Sequence, residues 1–356
     1  MNPLPLSNLQ ALKEKIPDSI TLGTKTYTQK DFEEGRMPFE VSSDEKKELI
    51  IGSLEKLEAE KLGEISICDK IDDIQRFCLR SPASIFILRI PKGKRIEDPI
   101  ILKYKPTEKP LAFSLFVIAE EDSACTLIED WTDYVKSPAI LYNQHSVIHA
   151  NANLRRITLH NTSHETVLHE NRHSFVEKGG DLTWNNFYFG SKESHLSLCQ
   201  NTDEDGATVK SQLVFLAKGK QSFSCDCSHD HRNGAGSGTM EMKAVALEES
   251  RASLNGRIHI HQSAPKTSSH MHQETLNLSK KASIRAIPAL QVDTNDVKAS
   301  HGSSVRNLNP EQLLYFASRG LSPEESRKML IAGFLKKELE SVKAISGVYD
   351  YLKRLI

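Results

Sequence analysis

The chain has 356 residues, of which 38% are hydrophobic and 26% charged, and its formal net charge is −1. That balance suits a soluble protein with a sizeable core and gives no electrostatic case for a nucleic-acid partner or a membrane surface. No apolar run approaches the ~20 residues needed to span a bilayer, and the N-terminal MNPLPLSNLQALKEK lacks the basic start and apolar core of a secretory signal.

Residues 1–82 read as a mostly helical N-terminal region. Asn8–Ile16 is a short amphipathic segment that Pro17 stops. Ser43–Leu62 places Leu49, Ile50, Leu54, Leu57 and Leu62 near helical spacing, with acidic residues in its first turn. Asp72–Leu79 allows one more short helix. No chemistry is visible here.

From Ser84 the apolar period becomes two, and short strands separated by polar turns continue through residues 83–305. In the last part, Gly256–Gly302, strands are expected at Arg257–His261, Thr275–Leu278, Ser283–Ile287 and Ala289–Val292. A sandwich, a barrel and a solenoid all fit such a list. A sandwich needs only about 100 residues, so an uninterrupted array of twice that length favours stacked coils with helical caps.

Residues 306–356 turn helical. Asn309-Pro310 and Ser322-Pro323-Glu324-Glu325 are start signals, and Gly320 is a stop. The second helix is expected to run to about Lys343 with an apolar stripe of Leu330, Ile331, Phe334, Leu335 and Leu339; a last helix spans Val348–Leu355. Such a stripe buries itself on the β-region or on a partner.

Metal-ligand residues recur. Cys225, Cys227, His229 and His231 alternate, so one strand face carries all four, but positions six apart are ~20 Å from each other and cannot share an ion. A site would need two of them plus ligands from a neighbouring strand; otherwise they are buried thiols with polar neighbours. His259/His261 and His270/His272 are similar pairs, and surface histidines are the plainer account of both. His301, beside Gly302, sits where the strands give way to helices; a turn histidine satisfied by backbone is its plainer account. The six cysteines show no small-domain framework, which implies a reducing, cytoplasmic compartment. Phosphate-loop, dinucleotide, nucleophile-elbow and HExxH signatures are all missing from the sequence. Gly234-Ala235-Gly236-Ser237-Gly238 reads as a flexible turn, and Asp203-Glu204-Asp205 as a solvated one.

The run Gly256-Arg257-Ile258, Ala264-Pro265-Lys266-Thr267, Gln273, Asn277-Leu278-Ser279, Ala282, Pro288, Leu290, Asp296-Val297-Lys298 and Ser300-His301-Gly302 resembles the SufB/SufD family of iron–sulfur cluster assembly proteins, its SufD branch most closely. Tyr315, Ser318-Arg319-Gly320 and Phe334 continue the pattern. The resemblance implies a mainly β fold, a right-handed parallel β-helix flanked by N- and C-terminal helical regions. It implies a non-enzymatic scaffold that pairs with a SufB-like paralogue through the β-helix, ATP hydrolysis belonging to a SufC-like ATPase at residues 306–356. It also implies an iron–sulfur cluster held transiently at the interface, with His301 as an interface group or ligand. Tyr315, Arg319, Gly320 and Phe334 would mark the ATPase-docking surface. Where family members often carry a cysteine two residues before the histidine, this chain has Ala299. A homodimer is expected of the isolated chain. The competing reading is a β-helix enzyme or lectin acting on carbohydrate, with Trp131 or Trp184 as sugar platforms.

Overall fold

The computed structural model describes residues 4–5, 17–22, 25–32, 37–43, 49–54, 66–67, 72–132, 136–345 and 347–356. The strands, in order, are β1 (Leu4–Pro5), β2 (Ser19–Leu22), β3 (Lys25–Thr28), β4 (Phe39–Ser42), β5 (Ile50–Ser53) and β6 (Ser66–Ile67). Then follow β7 (Ile85–Ile90), β8 (Ile100–Tyr104), β9 (Leu111–Ala119), β10 (Ala124–Trp131), β11 (Ala139–Ile148), β12 (Asn153–His160), β13 (Val167–Val176) and β14 (Asp181–Tyr188). The rest are β15 (Glu193–Thr202), β16 (Thr208–Ala217), β17 (Ser222–His231), β18 (Ser237–Ala246), β19 (Arg251–Ile260), β20 (Ser268–Asn277), β21 (Ser283–Val292) and β22 (Lys298–Asn307).

From β7 onward the chain alternates between two sheets. Even-numbered strands β8 to β22 form one, with β4 at its end; odd-numbered strands β7 to β21 form the other, with β5 at its end. Neighbours are parallel and in register, and stacked residues such as Thr208 and Ser237 are 29 positions apart. The result is the expected parallel β-solenoid, of about eight turns. Strict alternation points every second side chain inward, where Cys125, Leu154, Leu182 and Val209 stack as one buried rung. One corner repeats as well. Gly93, Asp122, Asn151, Gly179, Gly206 and Gly234 all have positive φ, and each amide donates to a carbonyl of the following coil.

The two ends differ. At the first coil, β4 lies antiparallel on β8 and β5 antiparallel on β7. Phe39 from β4 packs edge-on against Tyr104 and Phe86, with centroids 5.3 and 5.8 Å away. The helix expected over Ser43–Leu62 therefore needs correcting in its described part: Ile50–Ser53 is a strand. Leu49, Ile50 and Ile51 suit either period, and pairing with Ile85–Ile90 decides the matter. Residues 44–48 and 55–62 of that segment, like Asn8–Ile16, lie outside the described residues. The third expected helix is present as α1 (Asp73–Cys78), its N-terminus held by a reciprocal Asp72–Gln75 capping box.

The tail forms α2 (Pro310–Ser318), α3 (Pro323–Phe334), α4 (Lys336–Ser341) and α5 (Val348–Leu355). Asn309 and Ser322 cap α2 and α3 as expected. The long second helix is two, divided at Leu335. Ile331, Leu335, Leu339, Val342, Val348 and Leu352 bury against Ile157, Phe187, Val214 and Val245 on the outer face of the even-numbered sheet. Polar ties fix this cover: Arg155 Nη2 donates to the Ser341 carbonyl at 2.7 Å, Lys243 Nζ to the Phe334 carbonyl at 2.9 Å, and Asn161 Nδ2 to Tyr351 Oη at 2.8 Å. Among the described residues no helix is long and apolar enough to cross a membrane.

Candidate functional site

Both sheets stop on the same coil. β21 and β22 each have one neighbour, β19 and β20, and no described strand lies on their outer edges. Because stacked residues share a face, the inner rungs of β19 and β20 continue into this coil. Leu254, Gly256 and Ile258 lead to Ala286, Pro288 and Leu290; Ser269, Met271 and Gln273 lead to Ala299, His301 and Ser303. The first set is buried and the second is half-buried or exposed, since nothing stacks on it. Val305 and Val292, also on the inner face, are 59% and 39% exposed.

His301 is on this open floor, exposed, at the end of the rung Met240–Met271–His301. Of the two accounts of His301, the turn histidine does not hold, since it is a mid-strand residue. Its neighbour Gly302 faces the other way, beside His272, where a Cβ would come within 3.1 Å of the imidazole Nδ1. Ala299 packs on the rim of the core. The strand expected to break at Pro288 runs unbroken, since an edge strand tolerates a residue without an N–H. His270 and His272 point to the outer face: His270 Nδ1 meets Ser300 Oγ at 2.8 Å and His272 Nε2 lies 3.4 Å from Glu274. They do not converge with His301.

Cys225, Cys227, His229 and His231 do share a face, and it is the inner one, fully enclosed. His229 Nε2 meets Ser211 Oγ at 2.9 Å; His231 meets Thr202 Oγ1 and Ser269 Oγ, each at 2.9 Å. Burial pushes the His229 and His231 pKa values down to about 3 and about 4 and that of Cys227 up to about 12. These are neutral core groups, and among the described residues they do not converge closely enough to share an ion. The glycine run beside them is correspondingly not just a turn. Gly238 is an inner-face strand residue, where a Cβ would lie 2.8 Å from His231 Nε2 and 3.0 Å from His229 Nδ1. The pair at His259 and His261 lies outside the solenoid, against Asp230.

Missing from the sequence reading is a charged network inside the early coils. Glu129 accepts from Arg156 and Tyr142, and Tyr104 Oη donates to it at 3.1 Å; Arg172 stands 3.2 Å from Glu129 and also pairs with Glu170. All are fully or nearly fully buried. Burial alone would raise the Glu129 carboxyl, but Arg156, Arg172 and the tyrosine hydroxyls outweigh it and hold the pKa below its usual value. For Glu170 burial prevails and the shift is upward. Parity could have found them: Glu129 alternates in step with Leu127 and Trp131, and Glu170 with Leu168 and Val176.

The proposed sugar platforms, Trp131 and Trp184, are fully buried, Trp131 stacked on Tyr104. Asp203 and Asp205 serve structure, Asp203 half-buried 4.0 Å from Arg232 and Asp205 accepting from the Ala235 amide. In the tail, Tyr315 is 57% exposed with Arg319 over its ring at 5.4 Å, and Gly320 follows with positive φ. Phe334 is half-buried against the sheet, its ring flanked by Lys243 and Arg306. Of the four expected docking residues, three therefore lie on or beside α2, and Phe334 lies beneath.

Residues 106–334 match the family model described as "SUF system FeS cluster assembly, SufBD core domain". The chain is 26% identical over 278 residues to the iron-sulfur cluster assembly protein SufD of Bacillus subtilis, covering 76% of this chain and 62% of that protein. It is 24% identical over 264 residues to SufBD family proteins of Staphylococcus epidermidis and Staphylococcus aureus, covering 72% of this chain and 57% of each. The matched part thus spans about three-fifths of the length of these relatives.

Proposed function

The chain belongs to the SufB/SufD family, and from that premise we propose that it is a non-enzymatic scaffold for iron–sulfur cluster assembly, close to SufD. The observation that carries the reading is the open last coil. Two bare parallel edges, a half-exposed apolar floor and one exposed imidazole occur together there. A SufB-like paralogue adds its strands to β21 and β22, as bare edges favour. His301 then lies at the junction, where imidazole is a competent iron ligand. Ala299 contributes no thiolate, so any sulfur ligand comes from the partner. The cluster is cargo, formed and passed on. A SufC-like ATPase docks on the α2 surface around Tyr315 and Arg319 and supplies ATP hydrolysis. The same bare edges make a homodimer the expected state of the isolated chain.

Anaerobic affinity purification from the native cells, followed by native mass spectrometry, tests the assembly. Recovery with a larger paralogue and an ATPase is expected, and recovery only as monomer or homodimer sinks it. For the site, His301→Ala should lower cluster formation while leaving thermal stability unchanged. Undiminished assembly by that variant removes His301 from the mechanism.

A further inference from the structure

One coil inside the open end, on the outer face of the odd-numbered sheet, three metal-ligating side chains meet. Asp230 on β17 and His259 on β19 are register partners, and His261 follows on the same face. One carboxylate oxygen and one nitrogen from each imidazole all lie within 4.8 Å of one another, the only such group among the described residues. Asp230 Oδ1 is 2.8 Å from His261 Nε2 and 3.3 Å from His259 Nδ1, and the two rings are 3.8 Å apart. An ion with bonds of ~2.0–2.2 Å holds its ligand atoms roughly 3–3.5 Å apart, so small side-chain adjustments suffice.

The surroundings orient these atoms. Arg232 Nε donates to Asp230 Oδ2 at 3.0 Å, leaving Oδ1 to face the imidazoles. Asp293 Oδ2 lies 2.8 Å from His259 Nε2. An imidazole that donates from Nε2 to a carboxylate directs its Nδ1 lone pair the other way, here towards Asp230 Oδ1. Two acceptors then face each other, and a cation between them resolves the conflict. A carboxylate behind a ligating histidine is the usual support of a protein metal site. The side chains of Asp230, His259 and His261 are 14%, 15% and 37% exposed, so water can complete the coordination from one side.

We propose that Asp230, His259 and His261 bind one divalent first-row transition ion, with Asp293 and Arg232 as positioning residues. Two imidazoles and a carboxylate suit Zn²⁺ or Fe²⁺ over Mg²⁺ or Ca²⁺. The assignment needs no partner and does not rest on the scaffold reading. Its test is titration of the full chain with Co²⁺ alone, followed by the visible absorption of the bound ion and by competition with Zn²⁺. One equivalent should bind to the wild type, and His259→Ala or Asp230→Asn should weaken it at least ~100-fold. Asp293→Asn should weaken it ~10–100-fold, the usual cost of losing such a supporting carboxylate. His261 is exposed enough that His261→Ala carries the test if the other variants do not fold. His301→Ala should keep the equivalent. No uptake by the wild type, unchanged affinity in these variants, or loss of the ion in His301→Ala each overturns the assignment.

Discussion

The first and last coils are built from the same repeat and end in opposite ways. At the first, β4 and β5 fold back antiparallel and close both sheets, with Phe39 plugging the interior. At the last, β21 and β22 are bare and the inner rungs run out into solvent. A solenoid needs caps at both ends, and among the described residues this chain supplies them at one. The interiors differ accordingly. Behind the closed end lies a buried charged network that the pairing of Glu129 and Glu170 with Arg156 and Arg172 makes tolerable; towards the open end the filling is thiol, imidazole and thioether. Substitution is expected to cost stability at the closed end and association at the open one.

Substitutions can separate the two. The largest effect is expected at Glu129→Gln, which strands Arg156 and Arg172 without their shared carboxylate and should cost about 3–5 kcal/mol in urea unfolding. A loss under about 1 kcal/mol would mean that the network is not what holds the early coils. At the other end, Val305→Asp should leave unfolding within about 0.5 kcal/mol but cost about 2 kcal/mol, some thirtyfold, in pairing with a SufB-like partner or a second copy. Equal loss of stability there would erase the distinction. Gly256→Ala probes the boundary: its Cβ would lie 2.2 Å from Met271 Sδ, directly beneath the open floor. Overpacking of this kind costs about 1–3 kcal/mol, read as a lowered melting temperature.

The last effect concerns pH. His229 and His231 titrate at about 3 and about 4 when folded, because burial disfavours their charged forms, and at ~6.5 when unfolded. Between those values the unfolded chain binds more protons, so stability is greatest above pH ~6.5 and falls as the pH drops towards 4. Each such histidine contributes a slope of up to about 1.4 kcal/mol per pH unit. His229→Gln should remove one proton's share. An unaltered slope would show that His229 is not held neutral.

How much of this was legible in the chain varied with the interactions responsible. Strand periodicity is local, and so are the caps at Asn309 and Ser322, so these could be read directly. The run at Leu49–Ser53 was misread because its apolar spacing suits helix and strand alike until Ile85–Ile90 selects one. The family motif singled out His301, but its inward direction follows only from its pairing with Met271, thirty residues earlier. Glu129 and Arg156 are hard to find because charged residues ordinarily lie on the surface, although their parity with Leu127 and Leu154 places them inside. The convergence of Asp230 with His259 and His261 depends on the coil period, which no visible repeat announces.

The return of the helical tail over the even-numbered sheet has a kinetic consequence. Coils form between segments about 30 residues apart, so loop-closure costs are modest and stacking can proceed as the chain lengthens. The tail instead binds far back: Arg155 reaches Ser341 across 186 positions, and Asn161 reaches Tyr351 across 190. During synthesis the Ile157, Phe187 and Val214 stripe is therefore completed well before the helices that cover it have left the ribosome. Nascent chains go through a stage with ordered coils and an uncovered greasy flank, and that stage is when a chaperone has most to gain by holding them.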